Sequence, residues 1–395
     1  MEIRFPMWLR VVDRPGARVF GALNAVEALS RALIAGVLPY EAERLIHDAQ
    51  AISVLYTAIG AVALGVSFLV PLVLRRLRRK WIFSIGVGCM VVAPLLMLLA
   101  SEASFIAALQ FRAMAVVAVN ISLNLYILDY IRKKELSTSE PLRLAYLGFA
   151  WCFGPAAGIY LYKTWGLAAV CIPSATFAMV ALAFFWYLRL QDHQAVAPAT
   201  RRPPMPWQYI GRYLRQPRLR LAWIIPFGRS TFWTTFFVYP PLYIIRNGGA
   251  DTTVALMLSA GQALLFAAPF FGRLSRRHGV RPIIIAAAVS SGVLSLIAGI
   301  APLPPMAMAF LFFLAAIGAV ALDALGNIPF LRSVHFYERS EMTSVFRTYI
   351  EASQLIPALL FTAVLSFAPL QSVFVVLGAI LLMSAWFARY LPKSL

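Results

Sequence analysis

The sequence predicts an all-α integral membrane protein with twelve transmembrane helices. They fall into two pseudo-symmetric six-helix bundles, with both termini cytoplasmic. Three observations carry this prediction. The first is composition: of 395 residues, 61% are hydrophobic and 13% charged, and the mean hydropathy is +0.78. Soluble domains are nearer half apolar and a quarter charged. The apolar excess runs along the whole chain, and several runs reach the roughly 20 residues that span a bilayer. The second is an alternation of basic loops. The third is a repeat of the first half in the second.

Hydropathy and loop signals place the spans of the first half at 18–40, 50–74, 81–100, 104–131, 143–163 and 167–189. Those of the second half are expected at 220–246, 252–272, 281–301, 305–331, 342–367 and 370–391. The chain then divides into a first bundle (1–189), a linker (190–219) and a second bundle (220–395). The linker, QDHQAVAPATRRPPMPWQYIGRYLRQPRLR, is polar, Pro-rich and basic, and Pro203 and Pro204 disfavour helix there. Its end interleaves Trp207, Tyr209, Ile210 and Tyr213 with Arg212, Arg215 and Arg218. That pattern suits either a short helix on the inner leaflet or a simple linker anchored by its arginines.

The net charge is +19, from 35 Lys and Arg against 16 Asp and Glu. Only Arg44, Lys163 and Arg246 fall on one side of the predicted topology, and Arg31, Arg112, Arg229 and Arg347 lie within spans. The remaining 28 crowd into the other set of loops and termini. Basic loops mark the cytoplasmic side. This excludes a nucleic-acid role and brings the loops against anionic inner-leaflet lipids. The expected location is a cell membrane, the inner membrane of a bacterium, crossed many times by a monomer.

No enzyme signature survives inspection: there is no Walker A loop and no His, Cys and acid cluster with metal-ligand spacing. Cys89, Cys152 and Cys171 sit in apolar spans and read as small hydrophobes. No cofactor or metal is expected. The N-terminus does not read as a signal peptide, because its first apolar run is too long and carries charges.

The halves align at an offset of about 201 residues. The loop PLVLRRLRRK (71–80) superposes on GRLSRRHGVR (272–281), with Arg75, Arg76 and Lys80 falling on Arg276, Arg277 and Arg281. Asn120 and Asn124 of the fourth span answer to Asp323 and Asn327 of the tenth. Pro155 of the fifth answers to Pro357 of the eleventh. Paired six-span repeats mark a transporter architecture whose site lies at their interface near the midplane.

An ionisable residue inside the bilayer is a candidate for function by default. Here the set is Glu27, Arg31, Arg112, Arg229, Asp323, Arg347 and Glu351. By helix rise, Glu27 lies roughly 13 Å beyond Arg18. Arg229, Asp323 and Glu351 fall at comparable depth, so the four are candidates for one central layer. Glu27 and Arg31 are four apart with the acid first, the better order for pairing. They are either a self-neutralising pair that eases insertion, or a proton site tuned by its arginine. Burial and a neighbouring cation act on a carboxylate in opposite senses, so opening and closing its surroundings loads and releases a proton. Glu351 and Asp323 are further proton-site candidates. Arg229 has no partner on its own helix, so it is expected to meet Asp323, Glu351 or an anionic substrate. Arg347 lies nearer the cytoplasm and is suited to snorkelling. Asn24, Asn120, Asn124 and Asn327 are candidates for cavity hydrogen bonds or for inter-helix ties. Phe232, Trp233, Phe236 and Trp151 are candidates for an aromatic pocket or for lipid and helix contact.

The chain resembles the major facilitator superfamily over nearly its whole length. The loop motif G-x-L-a-D-R-x-G-R-K of that family is matched in the second copy by Gly272, Leu274, Arg277, Gly279 and Arg281, and in the first by Arg76, Arg79 and Lys80. Arginine replaces the motif's Asp in both copies, at Arg75 and Arg276. These loops would gate the inner side. Arg112, in LQFRAMA, stands where the family has a buried arginine that modulates the proton site. The stretch GFAWCFGPAAGIYL (148–161) resembles the G-P-x-x-G motif of drug/proton antiporters through Gly148, Gly154, Pro155 and Gly158. Small residues there let helices approach closely. The resemblance implies a cavity lined by spans one, four, seven and ten. It also implies proton-coupled export of a small, partly hydrophobic organic compound by alternating access. Four intramembrane arginines against three acids favour a second expectation, transport of a small organic anion, in the uptake direction for instance. A third is a transport-inactive relative serving in assembly or lipid handling, in line with the missing loop aspartates.

Overall fold

The computed structural model describes residues 17–73, 77–130, 136–188, 206–334 and 339–392. All regular structure among them is helical. The helices are α1 (Ala17–Ala35), α2 (Leu38–Ile46), α3 (Ala49–Val73), α4 (Arg79–Met97), α5 (Glu102–Tyr130), α6 (Leu136–Trp165) and α7 (Ala168–Tyr187). They continue as α8 (Pro206–Arg215), α9 (Pro217–Phe236), α10 (Tyr239–Arg246), α11 (Asp251–Ala263), a 3₁₀ turn (Leu264–Ala267) and α12 (Ala268–His278). The last are α13 (Val280–Ile300), α14 (Pro305–Leu325), α15 (Ile328–Ser333), α16 (Arg339–Phe346), α17 (Tyr349–Leu365) and α18 (Ser372–Ala388). Eight stretches of the described residues are long and apolar enough to cross a membrane: 18–46, 49–67, 79–97, 102–123, 168–187, 251–275, 280–300 and 305–333.

The structure differs from the sequence reading in continuity. The first, seventh, eighth, tenth and eleventh expected spans are each broken. Four breaks have a proline at the start of the following helix: Pro39 in α2, Pro240 and Pro241 in α10, Pro269 in α12 and Pro329 in α15. A proline there lacks an N–H and crowds the carbonyl four residues back. The first and tenth breaks also hold Gly36 and Gly326. The fifth, between α16 and α17, has neither residue. There the Thr348 hydroxyl donates to the Val345 carbonyl at 2.7 Å, a local bond that competes with the helix ladder. By contrast Pro94, Pro173, Pro226 and Pro357 sit inside continuous helices.

The chain forms two compact units. One comprises Met1–Ala35 and Gly65–Arg201, the other Gly36–Leu64 and Arg202–Leu395. The core of the first lies among α1, α4, α5 and α7. Phe20, Leu23, Val87, Val119 and Tyr126 pack there around Phe83 and Phe185, which stack at 4.1 Å. In the second unit α13 packs along α14 and α18, closing a core of Ile284, Leu322, Leu325 and Ala385. Residues 36–64 follow α1 in sequence, yet pack with the second unit.

Candidate functional site

Two of the sequence-predicted arginines are paired with sequence-predicted acids among the described residues, one pair in each unit. In the first, Arg31 lies one turn after Glu27 on α1. Its Nη2 donates to Glu27 Oε2 at 2.9 Å. Its Nε is 2.8 Å from Oε1, near enough for attraction but off the line of a hydrogen bond. Glu27 is 1% exposed and the Arg31 side chain 12%. The Arg31 guanidinium lies 5.9 Å from the Trp151 ring. Arg112 of α5 donates from Nη2 to the Arg31 carbonyl at 3.4 Å, which ties α5 to α1. Ser174 of α7 donates to the Ser30 carbonyl at 2.7 Å. A narrow cleft lined in part by Ser30, Arg31, Arg112 and Ser174 lies beside the pair, with room for about one water.

The antiporter-like motif explains how α6 reaches this site. A Cβ on Gly154 would run into Ala32, and one on Gly158 into the Leu33 carbonyl. Only glycine lets α6 lie against α1 at the turn that follows Arg31. Pro155 and the buried Gly148 lie on the same helix. Asn24, one turn before Glu27, is 2% exposed, and its Nδ2 has no partner. Asn120 is half-buried on α5. The side chain of Asn124 lies outside the described residues.

In the second unit the pair forms between helices. Arg229 of α9 meets Asp323 of α14, with Nη1 to Oδ1 at 2.9 Å. Trp233, one turn along α9, donates its indole N–H to Asp323 Oδ2 at 2.7 Å. Both carboxylate oxygens are therefore held. Arg229 Nη2 also donates to Ser230 Oγ at 3.0 Å and to the Tyr349 hydroxyl at 3.3 Å. Its guanidinium lies 5.6 Å from the Tyr349 ring. Arg229 Nε has no partner. The side chains of Arg229 and Asp323 are 16% and 22% exposed, more than those of Arg31 and Glu27. Asp323 stands three residues before the break that ends α14, and Tyr349 opens α17 directly after another break. Discontinuous helices are a common setting for binding sites in secondary transporters.

The remaining candidates divide. Glu351 is half-buried in the first turn of α17, without a salt-bridge partner among the described residues. Arg229 thus meets Asp323 and not Glu351. Arg347 is exposed at the break before α17. Phe232 and Phe236 are fully buried. They pack with Phe312, at 6.3 and 6.4 Å between ring centres, so they are core and line no open pocket here. Asn327 is exposed between α14 and α15. Of the loop residues, Arg79 and Lys80 open α4, with Lys80 5.5 Å from the Trp186 ring. Gly272 and Arg277 lie on α12. Gly279 takes φ 86° between α12 and α13, a left-handed conformation that favours glycine, and Arg281 opens α13. Arg76 lies outside the described residues.

Sequence reasoning missed Tyr349 and Ser230. Their signal is weak, since a hydroxyl beside a buried arginine has no fixed spacing. It also missed a polar cluster in the second unit. There Arg246 of α10 donates from Nε to Glu43 of α2 at 2.8 Å and from Nη2 to the His47 carbonyl at 2.7 Å. Ser53 of α3 receives the Tyr239 and Thr362 hydroxyls at 3.0 Å each.

The residues from 20 to 265 match the model of the Major Facilitator Superfamily. A search by sequence among curated proteins gives no match. Among solved structures the chain is similar to a POT family transporter in complex with 5-aminolevulinic acid, at 11% identity and a TM-score of 0.77. That likeness covers 94% of this chain and 95% of the other. It is similar also to the nucleoside transporter NupG, at 13% identity and a TM-score of 0.69, over 95% and 98%. At such identity these likenesses show the fold. The family match covers more than half of the chain, which belongs to the Major Facilitator Superfamily: it is a multi-pass membrane transporter, and not an enzyme.

Proposed function

We propose that the protein is a proton-coupled secondary transporter that exports a small, partly hydrophobic organic compound by alternating access. In this reading the chain crosses a bacterial inner membrane twelve times as a monomer, with both termini cytoplasmic. The proton gradient drives it, without a cofactor. The observation that carries the reading is the Arg229–Asp323 cluster. An acid with both oxygens held by an arginine and an indole, and still 22% exposed, exchanges partners when a proton or a substrate arrives. Trp233 and Tyr349 offer aromatic faces beside it. Glu27, held by Arg31, is the second proton site, and Glu351 the third. The close approach of α6 to α1 at Gly154 and Gly158 supports the exporter branch, because that packing is what its motif requires. A second reading, transport of a small organic anion, rests on the unpartnered Nε of Arg229.

Both readings are tested with purified protein in liposomes carrying an imposed pH gradient, screened against lipophilic cations and organic anions. Gradient-dependent movement of cations that Glu27→Gln and Asp323→Asn abolish supports export. Unchanged pH dependence in Glu27→Gln removes Glu27 as a coupling site. Anion-selective movement lost in Arg229→Ala supports the second reading. Movement of no solute overturns both.

A further inference from the structure

We propose that the cleft beside Glu27 and Arg31 holds a resident water through which protons reach Glu27. The cleft lies among four helices of the first unit: Ser30 and Arg31 of α1, Met97 of α4, Arg112 of α5 and Ser174 of α7 stand on its wall. It has room for about one water, which excludes an organic ligand. Its polar atoms are set to hold that water. Ser174 gives its hydroxyl proton to the Ser30 carbonyl at 2.7 Å. The 3.3 Å contact between the two hydroxyls is therefore donated by Ser30. Ser30 Oγ then accepts nothing among the described residues, although Ser30 is 2% exposed. On the other wall Arg112 reaches the Arg31 carbonyl at only 3.4 Å, longer than the usual bond of about 3 Å. A water there accepts from Arg112 and donates to Ser30 Oγ and the Arg31 carbonyl, the roughly three bonds that hold a buried water.

The same face of α1 carries Glu27. Glu27, Ser30, Arg31 and Ile34 follow one helical stripe, and one turn, about 5 Å, separates the acid from the cleft wall. Glu27 Oε1 accepts no hydrogen bond among the described residues, so it is the oxygen open to a proton. A proton arriving in the cleft joins the water, and the water passes one on to Oε1. The water is left neutral, the carboxylate becomes a carboxylic acid, and Arg31 keeps the Trp151 ring in place of its ion partner. The charged groups around Glu27 are Arg31 on its own helix and Arg112 of α5, tied to the Arg31 carbonyl. α7 carries no charge, and the charges of α4 and α6 lie toward their helix ends. The cleft leads to Ile34 and Met97, in the last turns of α1 and α4. In the topology proposed above those ends face outward, so this route loads Glu27 from outside and uses no residue of the Arg229–Asp323 cluster.

The inference rests on the reading of Glu27 as a proton site, and its test requires no transported substrate. The full chain in nanodiscs is exposed to X-ray pulses, and radicals formed from a bound water oxidise the side chains beside it. Met90 and Met97 line the cleft and are each 4% exposed. Met257 and Met308 of the second unit, 3% and 0% exposed, are the buried controls. The cleft methionines are expected to oxidise about fivefold faster than the controls, because a held water stands beside them. Ser30→Ala removes one partner of the water and leaves the bond from Ser174 to the carbonyl of residue 30 in place. It should slow their oxidation about fivefold, the worth of one net hydrogen bond. Ala93→Val fills the cleft from α4 and should act in the same direction. Infrared spectroscopy then follows the Glu27 carboxyl after a pH jump, with Glu27→Gln identifying its band. Both variants should slow its protonation by a similar factor. Oxidation of Met90 and Met97 at the control rate overturns the proposal. So does oxidation, or protonation of Glu27, that is unaltered in a variant with the native melting temperature. Transport with unchanged pH dependence in Glu27→Gln overturns the proposed coupling role instead, and leaves the methionine oxidation as it is.

Discussion

The Glu27–Arg31 and Arg229–Asp323 pairs solve one problem in different ways. Glu27 and Arg31 sit on a single helix, four residues apart, and are 1% and 12% exposed. Arg229 and Asp323 come from helices distant in sequence, and are 16% and 22% exposed. The first pair travels with its helix and needs no tertiary contact to form. The second exists only while α9 and α14 keep their relative position, and it borrows Trp233, Ser230 and Tyr349 to stay satisfied. A pair that is local and sealed is a stability element first. A pair that is remote and open can respond to a ligand, because shifting one helix changes its partners.

That contrast is open to measurement by thermal unfolding in detergent. The largest effect is expected at the sealed pair. Glu27→Ala leaves Arg31 with a ring and little water, and should lose about 4 kcal/mol. Glu27→Leu with Arg31→Leu should recover most of it, since an apolar replacement of a buried pair is close to neutral. If the double variant is as unstable as the single, the pair has a structural role beyond charge. Next comes Gly158→Val, expected to lose about 3 kcal/mol because α6 must move off α1. A native melting temperature there would show that the helices part without penalty.

Asp323→Ala should lose about 2 kcal/mol, less than Glu27→Ala, because Ser230 and Tyr349 still serve Arg229. A larger loss than at Glu27 would reverse the comparison. Trp233→Phe removes one bond to a charged oxygen, at about 1.5 kcal/mol. Its signature beyond stability is a changed pH profile of transport. The smallest effect is Arg246→Gln, under about 1 kcal/mol, as for other part-exposed ion pairs.

Much of the site was legible because helical spacing is one-dimensional. Glu27 and Arg31 meet as their spacing demands, and depth counting put Arg229 and Asp323 at comparable levels. The glycines at 154 and 158 were recognisable, although the atoms they admit, Ala32 and the Leu33 carbonyl, were not. Phe232 and Phe236 show the opposite. Their spacing suits a pocket wall as well as a core, and only the arrival of Phe312 from another helix decides it. The breaks were half legible. Pro39, Pro240 and Pro329 follow them, yet Pro94, Pro173 and Pro357 interrupt nothing.

By itself, the sequence determined that the chain is a helical membrane protein and that Glu27, Arg31, Arg112, Arg229 and Asp323 lie on its helices. Those are properties of composition and of short spacings. The tertiary structure alone decided that Arg229 chooses Asp323 over Glu351, that Trp233 and Tyr349 complete the cluster, and that residues 36–64 pack with the second unit. Partner choice between helices depends on how each helix is rotated and broken, and that is set by contacts about a hundred residues apart in the chain.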